Sequence, residues 1–336
     1  MTSLKDVAAL AGVSPSTVSR VINGTMHVSV ATRKRVEAAI AEVNYRPNLL
    51  AQSLRLQVTK NIGLLVPEIA HPSFNLVIKY IEKSASKRGL NLLICNTEND
   101  YRREAQAIDM LLRQRINGII FSRVSDESHV TSMSRSSNTP MVVIDRAFHN
   151  EKIPNVILDN YHAGVLAANH LLACGCTRIA TITGSFKIGL SRERYQGFRD
   201  TIEKSGLECD PALVHEGEFS FENGVAGVKE FLTKGLKFDG LWGQNDLIAA
   251  GAMATLMRNK IKVPHDVAVM GMDDVQFAAM YYPTITTIAQ PYQQLCEKAV
   301  DYIDKLTNEE CIDPFQVRLK PSLVVRESTQ KENNLF

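Results

Sequence analysis

The stretch LKDVAALAGVSPSTVSRVIN, residues 4–23, decides how the front of the chain folds. Ser3 stands just ahead of it and Asp6 follows three positions later, the spacing of an N-terminal cap before apolar residues at Leu4, Val7, Ala8 and Ala11. Gly12 ends this short helix, because glycine enters the left-handed backbone without a steric penalty. Ser14 caps a second helix with Pro15 at its first position, where the missing N–H removes no bond, and the turn dipeptide Asn23-Gly24 stops it. Two short helices joined by Ala11-Gly12-Val13 form a helix-turn-helix pattern. A third helix is expected over 30–44, with Val30, Val36, Ile40 and Val43 turned toward the first two and Arg33, Lys34 and Arg35 outward.

The second helix crowds three serines and a threonine into and just ahead of its first turns. In a helix-turn-helix the N-terminal residues of that helix enter the major groove, where hydroxyls meet base edges or phosphates and arginine takes guanine. On this geometry Pro15, Ser16 and Arg20 face bases, Thr17 and Ser19 face phosphates, Asn23 closes the DNA-facing set, and Val18 and Val21 face the core. Charge supports the reading: eight basic and three acidic residues through Lys60 leave the first sixty at +5, so a chain of +2 overall carries −3 in its other 276 residues. A basic head on a slightly acidic body suits a polyanion.

A chain of 336 residues, 45% hydrophobic and 22% charged, is long enough for two or three domains with their own cores. The opening MTSLKDV has neither a basic nor an apolar signal region, and no later run approaches the roughly 20 apolar residues that span a bilayer. The expectation is a cytoplasmic protein with no membrane partner. Cys95, Cys174, Cys176, Cys209, Cys296 and Cys311 lie scattered, without paired C-x-x-C spacing, and are expected as reduced thiols. The eight histidines show no metal-ligand spacing and are expected mostly at the surface; no metal and no cofactor are expected.

The segment of residues 4–23, followed by YRPNLLAQSLRLQVTKNIG over 45–63, resembles the lactose repressor family of bacterial transcription regulators, and the similarity runs to about Glu327. The resemblance implies homodimers placing two heads on palindromic operator DNA. It also implies that residues 48–56 form a hinge helix whose Leu54 wedges into the minor groove at a central CG step, with Arg55 beside it for a phosphate or groove edge. A leucine pair at a flexible pyrimidine-purine step is physically reasonable, since the kink is offset by wider contact. The chain has Gln52 where the common pattern has arginine. The expected domains are 1–46 for the head, 47–60 for hinge and linker, and 61–330 for an effector-binding and dimerisation body.

Beyond residue 60, short apolar runs at 62–66, 90–95, 118–121, 141–144, 179–183, 240–242 and 267–270 alternate mostly with helical patterns. That alternation predicts an α/β body of two doubly wound parallel-sheet subdomains, behind an all-α head. Ligands in such sheets bind beyond the carboxyl ends of strands. The residues found there include His71-Pro72-Ser73-Phe74, Asp145-Arg146, Asn245-Asp246 and Asp273-Asp274, with Arg194, Phe219 and Gln290 nearby. Paired carboxylates, amides and guanidinium groups hydrogen-bond sugar hydroxyls, while aromatic rings cover the C–H face. Asp246 and Asp274 are expected to cap the helices that follow.

The body resembles the periplasmic sugar-binding fold, with the chain crossing between subdomains near 160 and 290, and the ribose and purine repressor branch of the family. The resemblance implies that Phe74 and Phe219 sandwich a sugar and that Asp145 and Arg146 grip its hydroxyls. Ser73, Arg194, Asn245, Asp273 and Gln290 complete the effector site. His71 and Ser73 stand where ribose binders have Asn and Phe. Ile188 and Leu190 replace the Arg and Thr of purine binders, which favours a small monosaccharide such as ribose over a nucleobase. Sugar-binding relatives are mostly induced by their ligand; a phosphorylated carrier protein or sugar phosphate acting as corepressor is the alternative.

An enzyme is disfavoured, and no catalytic residue is assigned. There is no G-x-G-x-x-G after a strand, no phosphate loop, no G-x-S-x-G and no H-E-x-x-H, and Asp145 with Asp273 lacks a nucleophile. A free-standing periplasmic receptor conflicts with the missing signal peptide and the basic head. The polar end, residues 329–336, lacks a leucine heptad, so a dimer is the expected assembly.

Overall fold

The computed structural model describes residues 3–23, 28–45, 59–124, 138–146 and 153–330. The chain divides into a unit of residues 1–59 and a unit of residues 60–336. In the first, α1 (Leu4–Ala11), α2 (Pro15–Asn23) and α3 (Val30–Glu42) surround a small core of Val7, Ala8, Ala11, Val18, Val21, Val36 and Ala39. Ser3 and Asp6 close a reciprocal capping box on α1, worth about 1 kcal/mol in such settings. Gly12, at φ 62°, turns the chain into α2.

Two expectations for α3 change. The helix stops at Glu42, and Val30 is 73% exposed. Ser29 caps the helix through Thr32 N–H, which puts Val30 on the first, outward turn, and Val28 packs against the core in its place. Hinge residues 48–56, including Leu54 and Arg55, lie outside the described residues.

The second unit has two lobes. The first carries β1 (Asn61–Val66), β2 (Asn91–Asn96), β3 (Gly118–Phe121), β4 (Met141–Ile144), β5 (Asn155–Leu158) and β11 (Gln316–Leu319), all parallel, in the order β11-β5-β4-β3-β1-β2. The other carries β6 (Ile179–Thr183), β7 (Val214–Glu216), β8 (Gly240–Gly243), β9 (Ala268–Asp273), β10 (Thr286–Ala289) and β12 (Ser322–Val324), in the order β12-β10-β9-β8-β6-β7, with only β12 antiparallel. The two orders are the same when the first five strands of each lobe are matched in sequence. The two lobes foreseen as doubly wound subdomains therefore share one topology.

Helices cover both faces of each sheet. In the first lobe these are α4 (Pro72–Ser86), α5 (Tyr101–Arg113) and α10 (Tyr292–Thr307). In the second they are α6 (Asn160–Ala173), α7 (Gly189–Lys204), α8 (Phe221–Thr233) and α9 (Asp246–Arg258). Alternation within β1 sends Ile62, Leu64 and Val66 into one core and Leu65 into the core on the other face. The chain crosses between lobes at Asp159, at 290–291 and again at 320–321. The third crossing, and strands β5, β7, β10, β11 and β12, were not anticipated from sequence. Strand β9 also runs to Asp273 instead of ending at Met270.

Candidate functional sites

In the head, the structure exposes Pro15, Ser16 and Arg20 on one side of α2, half-buries Thr17 and Ser19, and buries Val18 and Val21. The hydroxyls are already organised. Ser14 Oγ accepts from Thr17 N–H at 3.2 Å and lies 2.7 Å from Ser16 Oγ and 2.9 Å from Thr17 Oγ1. This cluster caps α2 and holds short donors and acceptors at the end where the helix dipole favours a phosphate. Asn23 is the last residue of α2.

In the body, all nine residues expected at the sugar site line one cavity of about 310 Å³ between the lobes: Ser73, Phe74, Asp145, Arg146, Arg194, Phe219, Asn245, Asp273 and Gln290. Each follows the carboxyl end of a strand or opens the next helix, except Arg194, which lies within α7. Glu68, His71, Asn99, Glu218 and Ser220 complete much of the polar wall, with Pro67, Ile188 and Leu190 supplying apolar surface.

The acids come from matching places. Asp145 follows β4 and Asp273 ends β9, its counterpart, and both hold left-handed backbone, at φ 64° and 112°. Non-glycine residues rarely adopt such angles, and they recur where a site over-determines the backbone. Asp145 Oδ2 accepts from Ser122 Oγ at 2.9 Å, and Asp273 Oδ1 accepts from Gln290 Nε2 at 2.6 Å. Burial raises the Asp273 pKa above the usual carboxylate value, with His71, Arg194 and the Gln290 bond opposing it.

Arg194 is the most enclosed cation. Its Nε donates to Asn160 Oδ1 and its Nη1 to the Gln244 carbonyl, both at 2.9 Å, and its guanidinium lies 5.7 Å from the Phe219 ring centre. The close packing of α6 on α7 brings Asn160 into reach. A Cβ on Gly197 would come within 2.0 Å of the Tyr161 carbonyl oxygen, so only glycine permits that approach. Burial lowers the Arg194 pKa, and Asp273 and Asp145 oppose the shift. Arg146 spends Nη1 on the Arg123 and Val124 carbonyls, at 2.8 and 2.6 Å, so part of its fork builds the wall of the cavity.

His71, placed among the strand-end residues by sequence reasoning, stands at the N-cap position of α4 and reaches across the cleft, its Nε2 2.8 Å from Asn245 Nδ2. Asn245 Oδ1 caps α9 by accepting from Ile248 N–H at 2.8 Å, which leaves Nδ2 to donate to the Phe219 carbonyl and to His71. An acceptor at Nε2 requires a neutral ring protonated at Nδ1, which lies 2.7 Å from Ser73 Oγ. In this tautomer the longer approach of Ser73 N–H to Nδ1, 3.4 Å, is not a hydrogen bond. Burial lowers the His71 pKa from 6.5, against the opposing fields of Asp273 and Asp145.

Asp246 and Asp274 do not cap the helices that follow. Asn245 holds the cap of α9; Asp246 turns inward to accept from Thr287 Oγ1 at 2.6 Å and Val275 N–H at 3.0 Å, tying β9 to β10. Asp274 pairs with Arg326 at 2.6 Å. Tyr292, which opens α10 behind Asp273, has a buried hydroxyl with no hydrogen-bond partner, and burial pushes its pKa well up. None of the six cysteines, all among the described residues, is in a disulfide. Among the described residues no cluster could hold a metal ion, and no helix is long and apolar enough to cross a membrane.

A helix-turn-helix head and a two-lobed body closed around a polar cavity define a class: regulators that read DNA at one end and a small molecule at the other. Residues 3–48 match the family described as bacterial regulatory proteins, lacI family, and residues 59–320 match the periplasmic binding proteins and sugar-binding domain of that family. The ribose operon repressor of Escherichia coli (strain K12) is 36% identical over 333 residues, 98% of this chain and 100% of the relative. The PurR repressor of Haemophilus influenzae (strain PittEE) is 33% identical over 340 residues, 98% of this chain and 99% of the relative. A structure of the Lac repressor dimer bound to operator and the anti-inducer ONPF superposes with a TM-score of 0.89 at 29% identity, covering 98% of this chain and 99% of that one. The chain belongs to the LacI family and is a DNA-binding transcriptional repressor, not an enzyme.

Proposed function

We propose that this repressor binds a palindromic operator as a homodimer and is released from it by a small neutral sugar, D-ribose or a similar monosaccharide, held between the two lobes. The observation that carries the reading is the cavity itself, where nine residues chosen for sugar chemistry meet from both lobes. The ribose operon repressor among the relatives agrees with it. In the head, Pro15, Ser16 and Arg20 read bases, Thr17 and Ser19 touch phosphates, and Asn23 closes the set. Residues 47–60 form the hinge and linker, with Leu54 at the central step and Arg55 beside it. Met280 and Tyr282, 74% and 79% exposed, are large apolar side chains of the kind a second copy covers.

The charge of the cavity favours a neutral ligand over the sugar-phosphate alternative. Glu68, Asp145, Glu218 and Asp273 face two guanidinium groups, those of Arg146 and Arg194, and both already donate to the protein. A phosphate dianion would meet more carboxyl groups than free cations. The test is fluorescence anisotropy of a labelled palindromic duplex with a central CG step, at fixed salt, with and without D-ribose. Tight binding released by ribose supports the whole chain of coupling. Binding that ribose leaves unchanged, but ribose 5-phosphate strengthens, would transfer the site to the alternative.

A further inference from the structure

We propose that Gln244, which stands behind the cavity and not in its wall, is a positioning residue that sets the size of sugar the cavity accepts. Its side-chain amide braces the backbone beneath Phe219 against the start of α7. The proposal rests on the monosaccharide reading above and deepens it, from the class of ligand to its discrimination by bulk.

The brace begins where the chain leaves β8. That strand ends at Gly243, and the next three residues, each 1% exposed or less, send their side chains to three places. Asn245 reaches the cavity, and Asp246 ties β9 to β10. Gln244 stays within the lobe: Gly184 N–H donates to its Oε1 at 3.2 Å, and its Nε2 donates to the Ser191 carbonyl at 3.1 Å. This amide cannot be turned over, because a backbone N–H only donates and a carbonyl only accepts. The backbone of Gln244 is engaged as well. Its N–H donates to the Ile182 carbonyl at 3.0 Å, and its carbonyl accepts from Arg194 Nη1 at 2.9 Å. One wholly buried residue thus joins the end of β6, the first turn of α7 and Arg194.

Both anchor points of the amide lie next to cavity walls. A Cβ on Gly184 would fall 2.2 Å from Phe219 Cζ, so the ring rests against bare glycine backbone and its place depends on that backbone. Ser191 follows Ile188 and Leu190, two apolar wall residues, in the first turn of a helix whose N-cap makes no side-chain bond. The amide therefore ties an aromatic surface of the cavity to an aliphatic one. A hydrogen bond is directional and apolar contact is not, so two bonds on one rigid amide hold that separation more narrowly than packing alone. A fitted apolar pocket discriminates one added methylene-sized group by about 10- to 200-fold, but only where its wall does not yield.

The first measurement is amide exchange at Gly184, read by NMR on glycine-labelled protein with no sugar added. Gln244→Leu keeps the bulk and removes both bonds, and Gly184 should then exchange at least about tenfold faster. An unchanged rate would overturn the brace. The second is calorimetry with D-ribose and D-allose, whose pyranose rings differ by one hydroxymethyl group. Gln244→Leu should lower the ribose-to-allose affinity ratio about tenfold. Affinities that fall together at a constant ratio would show a role in stability only, and would overturn the proposal.

Gln244→Glu keeps the test open should the Leu variant fail to fold. Its carboxylate repels the Ser191 carbonyl, whereas the protonated acid restores both bonds, and burial raises the pKa of such a carboxyl. The ratio should match wild type at about pH 5.5 and fall below it at about pH 8. A ratio that follows wild type at both pH values would overturn the brace. No heat from either sugar in wild type, with the Gly184 change present, would overturn the monosaccharide reading and support the brace.

Discussion

The two lobes share a strand order and place an acid at the same strand end, yet they present their halves of the cavity differently. In the second lobe Arg194, Asn245 and Asp273 are 3%, 1% and 4% exposed, and each is locked by partners in its own lobe. In the first, Asp145 and Arg146 are only partly buried, the Asp145 side chain 23% exposed, and Ser73 and His71 sit on the cap of a helix. Both halves have partners in their own lobes, but the charged groups of the second are the more enclosed. Preorganised groups lose little freedom on binding, so the second lobe should supply most of the affinity and the first should supply the closure that couples to DNA.

The largest expected effect is in the more enclosed second lobe. Arg194→Ala strands Asn160 and the Gln244 carbonyl in the interior, and should cost about 3 kcal/mol of stability in a denaturant melt and abolish the effector response. Next, Asp273→Ala should weaken sugar binding about 100-fold while Asp145→Ala weakens it about tenfold, read by calorimetry on both variants. Equal losses would dissolve the contrast between the lobes.

A smaller effect follows from His71. Its folded pKa is lowered from 6.5 by burial, so as pH falls the unfolded chain takes up this proton before the folded one does. The stability linked to the ring is complete above about pH 6.5 and is lost as pH drops below it toward the folded value. His170, also lowered by burial, contributes in the same window, so the informative quantity is the difference between the melting profiles of wild type and His71→Asn. The smallest effect is Tyr292→Phe, which removes a buried hydroxyl that has no partner and should leave ligand-free stability unchanged within about 0.5 kcal/mol or raise it. A loss of several kcal/mol would show that the hydroxyl holds the lobe interface together.

The sequence carried most of the head, four of the six strands of the first sheet and three of the six of the second, for local reasons. Caps, Pro15 and Gly12 act within a few residues, so the starts of α1 and α2 and the end of α1 were readable. The misplacement of Val30 came from counting helical periodicity across a cap, where the first turn faces outward. Most central strands announce themselves as apolar runs, although β5, Asn-Val-Ile-Leu, and β10 are interior strands that were missed; β7 is Val-His-Glu and β11 is Gln-Val-Arg-Leu, polar edges whose pairing depends on distant neighbours. Because β7 was not read, Glu218 and Ser220 beyond it were missed as cavity residues, while strand-end reasoning found Asp145, Asn245 and Asp273. The bridge from His71 to Asn245 had no local signal, since it exists only when two separately folded lobes face each other.

Amide hydrogen exchange with and without D-ribose tests the contrast between the lobes most directly. The account predicts a large gain in protection at residues 67–74 and 145–146 and little change at 244–246 and 273–274, which are already locked. An equal gain on both sides, or a gain confined to the second lobe, would contradict it.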